Sequence, residues 1–151
     1  MVLQHILSEK NIVLNLESTE KDELFEEMIQ RLVELYPDIN RKEALDSLLK
    51  RENVMTTGIL PALAVPHGVM KSQKNTYALV GYSKRGIDYD SLDGKCVHWV
   101  FMFLFSADDT GTHLGALKEL ALLLQDSDFV NSLSDVKTPE SFISLLKNTD
   151  F

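Results

Sequence analysis

The run Val97 to Phe105, VHWVFMFLF, constrains the fold more than any other stretch of this chain. Strand alternation puts Val97, Trp99, Phe101, Phe103 and Phe105 on one face and His98, Val100, Met102 and Leu104 on the other. Both faces are apolar, so this strand is central in its sheet and covered on both sides. His98 sits at the strand's beginning on a largely apolar face, and it reads as a satisfied structural histidine rather than a ligand.

The remaining segments supply the cover. Ile12, Leu14 and Leu16 alternate as a first strand. Ser18 or Thr19 can cap a helix carrying Leu24, Phe25, Met28, Ile29, Leu32 and Val33, which ends before Pro37. Asn40 with Glu43 resembles a capping box for a second helix through Ala44, Leu45, Leu48 and Leu49 to Lys50-Arg51-Glu52. The charges on both outer faces are expected only to solvate them. Tyr77 to Ser83 reads as a strand, and Gly86-Ile87-Asp88-Tyr89 and Leu92-Asp93-Gly94 read as turns. Beyond the central strand, Thr112 is a plausible cap for a helix through Leu114, Leu117, Leu120, Ala121 and Leu124. Two shorter helices follow, one from Ser127 and one marked by Thr138-Pro139. The whole, 1–151, is expected to be one domain, burying on the order of two-thirds of its unfolded surface.

Charge and cysteine content narrow the function. A net charge of −8 with dispersed acidic residues argues against nucleic acid, because phosphate contacts need clustered Lys and Arg. Cys96 is the only cysteine, which excludes an intrachain disulfide and fits a reducing compartment. No apolar run approaches the ~20 residues that span a bilayer, and the first residues lack the pattern of a signal peptide. A cytoplasmic protein without direct membrane insertion is expected.

The chemistry concentrates in Met55 to Gly68, MTTGILPALAVPHG. Leu63-Ala64-Val65 reads as a short buried strand, which Pro66-His67-Gly68 is expected to stop. Pro66 biases Val65 towards extended geometry, and Gly68 lets the chain turn away. His67 is then held at a strand's carboxyl end, where open sheets place ligands, or else is a turn residue without a role. His113 falls in a first helical turn, where unpaired N–H groups attract anions. It can share a sheet edge with His67, although a surface histidine is common there. Arg51 has a guanidinium suited to phosphate, but its position alone favours a cation on a helix dipole.

Elimination leaves a nucleophilic histidine. The P-loop, the dinucleotide glycine fingerprint, CxxC, HExxH and GxSxG are all absent. A metal held by His67 and His113 is weakly signalled, because no carboxylate or cysteine sits at ligand spacing. Imidazole has an ordinary pKa of about 6.5, so it is mostly neutral at pH 7 and attacks without a dedicated base. Phosphoryl transfer from such a nitrogen needs positioning and charge stabilisation more than covalent machinery. Arg51, Thr56, Thr57, His113 and helix N-terminal amides are the candidate donors. Asp108 and Asp109 oppose the reaction unless they point outward or orient an imidazole N–H.

Leu48-Leu49-Lys50-Arg51-Glu52, Thr56-Thr57-Gly58-Ile59 and Ala64-Val65-Pro66-His67-Gly68 resemble the enzyme IIA domain of the fructose/mannitol and nitrogen-regulatory type in the bacterial phosphoenolpyruvate-dependent sugar phosphotransferase system. The match continues through Gly86-Ile87-Asp88, Leu92-Asp93-Gly94, the apolar strand and His113-Leu114. The resemblance implies a three-layer α/β/α sandwich with a mixed β-sheet and no metal or organic cofactor. It implies that His67 is phosphorylated by the phosphocarrier HPr, or its nitrogen-branch counterpart, and passes the phosphoryl group to a IIB component. His113 would orient or stabilise it, Arg51 would help hold the phosphoryl group, and Thr56, Thr57 and Gly68 would support them. The alternative in the same family is a regulatory phosphoprotein that acts by docking other proteins. One departure stands out: Leu60-Pro61-Ala62 replaces the usual glycine-rich turn, which predicts a stiffer and more apolar loop.

Overall fold

The computed structural model describes residues 1–149. Helix α1 (Val2–Ile6) and a single 3-10 turn lead into strand β1 (Ile12–Val13), helix α2 (Lys21–Leu35) and helix α3 (Arg41–Glu52). Strands β2 (Leu63–Ala64), β3 (His67–Met70), β4 (Tyr77–Ile87) and β5 (Val97–Ser106) follow. Helices α4 (Thr110–Gln125), α5 (Ser127–Ser132) and α6 (Pro139–Lys147) close the described chain. The sheet is mixed. β1 runs parallel to β4, β4 antiparallel to β5, and β2 and β3 lie in succession, parallel, along the other edge of β5.

The double apolar character of β5 is satisfied as its sequence demands. Val100, Met102 and Leu104 join Leu24, Phe25, Met28 and Leu48 in one core layer under α2 and α3. Trp99, Phe101, Phe103 and Phe105 join Leu3, Leu120, Leu123 and Phe142 in the other. Each buried phenylalanine stabilises the sandwich by roughly 2 kcal/mol relative to exposure. Val97 departs from strict alternation and sits in the α2/α3 layer, because the β4–β5 ladder shifts register between Tyr82 and Ile87. The turn expected at Gly86 is that irregularity: β4 continues to Ile87, with Gly86 at φ 95°.

Several local expectations are corrected. β1 is shorter than Ile12–Leu16, although the Leu16 N–H still donates to the Tyr82 carbonyl at 3.1 Å. α1 has no counterpart among the expected elements; Glu119 on α4 caps it by accepting from the Val2 and Leu3 N–H groups at 2.8 and 3.0 Å. Neither Ser18 nor Thr19 caps α2, which has Glu20 in the cap position. Ser18 instead donates its hydroxyl to Glu27, at 2.6 Å. Asn40 does cap α3, but Glu43 does not close the box. Its carboxylate accepts from the Lys71 and Ser72 N–H groups at 2.7 and 3.2 Å, tying the end of β3 to α3. These helix charges bind the layers together as well as solvating them.

Candidate functional site

β2 and β3 are one extended segment with a two-residue interruption. Leu63 pairs with Trp99 and His67 with Phe103, so the register on β5 is the same on both sides of Val65-Pro66. The Pro66 carbonyl still accepts from the Phe103 N–H at 3.0 Å. The expectation that Pro66 stops the strand is therefore corrected: proline removes a donor, but the ladder to β5 needs only its acceptor here. His67 opens β3 rather than ending β2. Gly68 does not turn the chain away either. A Cβ at Gly68 would stand 2.1 Å from the Ser47 Oγ and 2.9 Å from the Ser47 backbone carbon, so glycine allows β3 to lie against α3.

The interruption fixes the imidazole. The Nδ1 atom of His67 lies 2.9 Å from the Val65 carbonyl oxygen. A carbonyl only accepts, so Nδ1 carries the proton and Nε2 keeps its lone pair. Burial of this half-buried ring, then the charges of Arg51 and His113, push its pKa below the ordinary value, against the Val65 carbonyl and Glu52. The ring is thus held neutral and nucleophilic at pH 7.

Phe105 brings the second histidine in. His113 stacks on it, with ring centroids 4.1 Å apart and planes at 18°, and His67 meets it edge-on at 6.1 Å. Burial lowers the pKa of His113 as well. Thr112 does not cap α4. Asp109 does, accepting from the Thr112 N–H at 3.0 Å and from its hydroxyl at 2.5 Å. His113 is the fourth helical residue, and its own N–H donates to the Asp109 carbonyl at 3.3 Å. The Thr112 and His113 N–H groups of this helix end are thus taken up by Asp109, whose carboxylate already sits at the positive end of the helix dipole.

Arg51, Val65 and His67 line one cavity of about 210 Å³ whose apolar wall includes Leu117, Leu120 and Leu124. The Arg51 guanidinium spends one N–H on the Met55 carbonyl at 2.8 Å, which leaves further donors on its fork. Thr56 is occupied locally, accepting from the Gly58 N–H at 3.1 Å. Thr57 lines the cavity but is buried, and its hydroxyl donates to Glu52, with the Tyr89 hydroxyl oxygen 2.7 Å away. Its expected role as a phosphate donor is corrected: the hydroxyl has partners of its own.

Glu52 belongs to the Lys50-Arg51-Glu52 run that carries the resemblance, but the sequence assigns it no role beyond the last charge of a helix. It is 7% exposed and collects donors from three elements. Lys21 Nζ approaches at 3.0 Å, the Thr57 N–H at 3.0 Å and the Tyr89 hydroxyl at 2.9 Å, besides the Thr57 hydroxyl. Burial pushes its pKa up, but these hydrogen bonds outweigh burial and hold the carboxyl below its ordinary value. The Tyr89 hydroxyl is driven strongly upward by burial and by the Glu52 charge, so it stays a donor. Among the described residues, no helix is long and apolar enough to cross a membrane, and no group of three or more His, Cys, Asp or Glu side chains could hold a metal ion.

Comparison with known proteins identifies the family to which this fold belongs. The chain is 33% identical over 150 residues to the PTS system fructose-specific EIIABC component of Bacillus subtilis (strain 168), covering 99% of this chain and 24% of that protein. It thus spans about a quarter of that relative's length. The crystal structure of nitrogen regulatory protein IIA-Ntr from Neisseria meningitidis superposes with a TM-score of 0.86 at 28% identity, covering 97% of this chain and 99% of that one. The IIA mannitol enzyme of Escherichia coli, in a complex with phosphorylated IIB, shares the fold with a TM-score of 0.76 at 18% identity, over 95% and 98% of the two chains. Matched from residue 5 to residue 149 by the corresponding family model, the chain belongs to the EIIA type 2 family of the phosphoenolpyruvate-dependent sugar phosphotransferase system.

Proposed function

We propose that His67 is a transient phosphoryl acceptor and donor, taking the group from a phosphocarrier of the HPr type and passing it to a IIB component. The observation that carries this reading is the Nδ1–H of His67 donating to the Val65 carbonyl, which leaves Nε2 as the free nucleophile. The Nε2 lone pair forms the new P–N bond as the P–N bond of the donor breaks, its electron pair returning to the donor nitrogen. Positive charge develops on the ring as the bond forms, and the Val65 carbonyl is placed to hold it. Arg51 offers its remaining guanidinium donors to the phosphoryl oxygens, and His113 orients the group from the Phe105 side.

The test supplies phosphoenolpyruvate, enzyme I and HPr and reads intact mass. An acid-labile phosphate on the protein, absent from His67→Ala, is the expected result; a phosphate retained by His67→Ala places the site elsewhere.

The likeness to IIA-Ntr favours a second reading, in which the same phosphorylation regulates docking to another protein. Sugar-dependent loss of the phosphate in the presence of a IIB/IIC pair separates the two, since only the transport role requires it.

A further inference from the structure

A line of hydrogen bonds leads away from His67 into the core and ends on a buried carboxylate. The ring's Nδ1–H donates to the Val65 carbonyl at 2.9 Å. The Val65 N–H donates to the Thr57 carbonyl at 3.2 Å. The Thr57 N–H donates to Glu52 Oε2 at 3.0 Å, and its hydroxyl to Glu52 Oε1. Thr57 is thus gripped by both backbone and side chain, and it in turn fixes the residue whose carbonyl orients the imidazole.

We propose that Glu52 is the positioning residue for His67: its carboxylate clamps Thr57, and through Thr57 and Val65 it sets the ring's orientation and keeps the proton on Nδ1. This rests on the phosphocarrier reading for its purpose, but not for its geometry.

Three features make the clamp more than ordinary cohesion. A buried carboxylate with this many donors is rigid, because losing any one strands a charge in low dielectric. Lys21 and Tyr89 hold it from α2 and from the segment after β4, with the Lys21 ammonium also 4.6 Å from the Tyr89 ring centroid. The carboxylate follows Arg51 directly on the last turn of α3, so one helix end delivers both the exposed cation of the cavity and the buried anchor of its wall. The charged groups facing His67 are Arg51 from α3 and His113 from α4, with Glu52 behind. Glu52 is the only one of the three whose charge favours the positive ring that phosphorylation creates.

Glu52→Gln tests this, because it keeps the size of the side chain but removes the charge and leaves one acceptor oxygen, so the Thr57 N–H and hydroxyl can no longer both be held. NMR of 15N-histidine-labelled protein should show a smaller Nδ1–H fraction for His67 and a titration midpoint moved downward. Phosphorylation by phospho-HPr should slow on the order of tenfold, as for other partners that orient a reactive imidazole, with KM for the carrier unchanged. A second variant, Lys21→Met, keeps the carboxylate and removes its neutralising partner, and it should move the His67 midpoint upward with the Nδ1–H tautomer retained. An unmoved His67 titration in either folded variant, or an unchanged tautomer in Glu52→Gln, overturns the proposal. His67→Ala in the same phosphorylation series reports on the phosphocarrier reading separately, and the tautomer of Glu52→Gln decides the clamp whatever that control shows.

Discussion

The imidazoles of His67 and His113 stand 6.3 Å apart, centroid to centroid, with their planes at 60°. That separation is too wide for a direct hydrogen bond between ring nitrogens lying near the centroids' line, so neither imidazole uses the other as its partner. Phe105 sets the spacing by touching both rings, one by its face and one by its edge.

His113→Ala should therefore affect chemistry more than folding. The side chain is half-exposed, and its stacking on Phe105 contributes about 1 kcal/mol. Onward transfer to IIB should slow on the order of a hundredfold, the cost of removing one positioned donor. Rapid-quench transfer kinetics and urea unfolding on the same variant check it; unchanged kinetics would reduce His113 to a packing residue.

Arg51→Met removes the Arg51 cation that lines the cavity while keeping an apolar stem. Acceptance from phospho-HPr should fall by about a hundredfold. The His67 titration should move upward, because the Arg51 charge now holds the imidazolium down. NMR titration reads the second effect independently of the first.

The rate of phosphoryl acceptance should fall as pH drops through the folded midpoint of His67, which lies below the ordinary 6.5. The same shift acts on stability. In the unfolded chain the ring takes up its proton near pH 6.5, whereas in the folded chain it does so only at lower pH. Between those points the unfolded state binds more protons, so stability falls as pH is lowered through that window and is flat below it as far as this ring is concerned. Urea unfolding at a series of pH values should give a shallower loss for His67→Gln than for the parent protein.

Ala62 has a φ of 63° in the turn where the Leu63 N–H donates to the Leu60 carbonyl at 3.2 Å. Pro61 precedes it, which is the arrangement of a turn with proline first and a left-handed residue second. The left-handed region costs an L residue on the order of 1 kcal/mol, so Ala62→Gly should raise stability by up to about that amount. Thermal unfolding checks it, with about 2–4 °C expected for a chain of this size. A lower midpoint would mean that the flexibility gained by the unfolded chain outweighs the strain relieved.

Much of this architecture is legible in the residues themselves. The two apolar faces of Val97 to Phe105 require cover on both sides, and α2/α3 and α1/α4/α6 provide it. Pro66-His67-Gly68 singles out the imidazole, but its local grammar points to a stop where the chain makes only an interruption, because a parallel partner on β5 can still use the Pro66 carbonyl. The choice of Asp109 over Thr112 as the cap of α4 is one that two neighbouring capping residues leave open. Glu52 illustrates what sequence conceals. Its three partner residues lie 5, 31 and 37 positions away, and only the folded chain brings them together. At Leu60-Pro61-Ala62 the chain still reaches the left-handed region, at Ala62, so the absence of glycine there is met by backbone strain on an alanine rather than by avoiding positive φ.

The most direct measurement is the bond itself. Phosphorylated protein labelled with 15N-histidine should show the phosphoryl group on Nε2 of His67 by long-range 1H–15N correlation, with Nδ1 still protonated against the Val65 carbonyl. A phosphoryl group on Nδ1 of His67, or on any other side chain, would contradict the account.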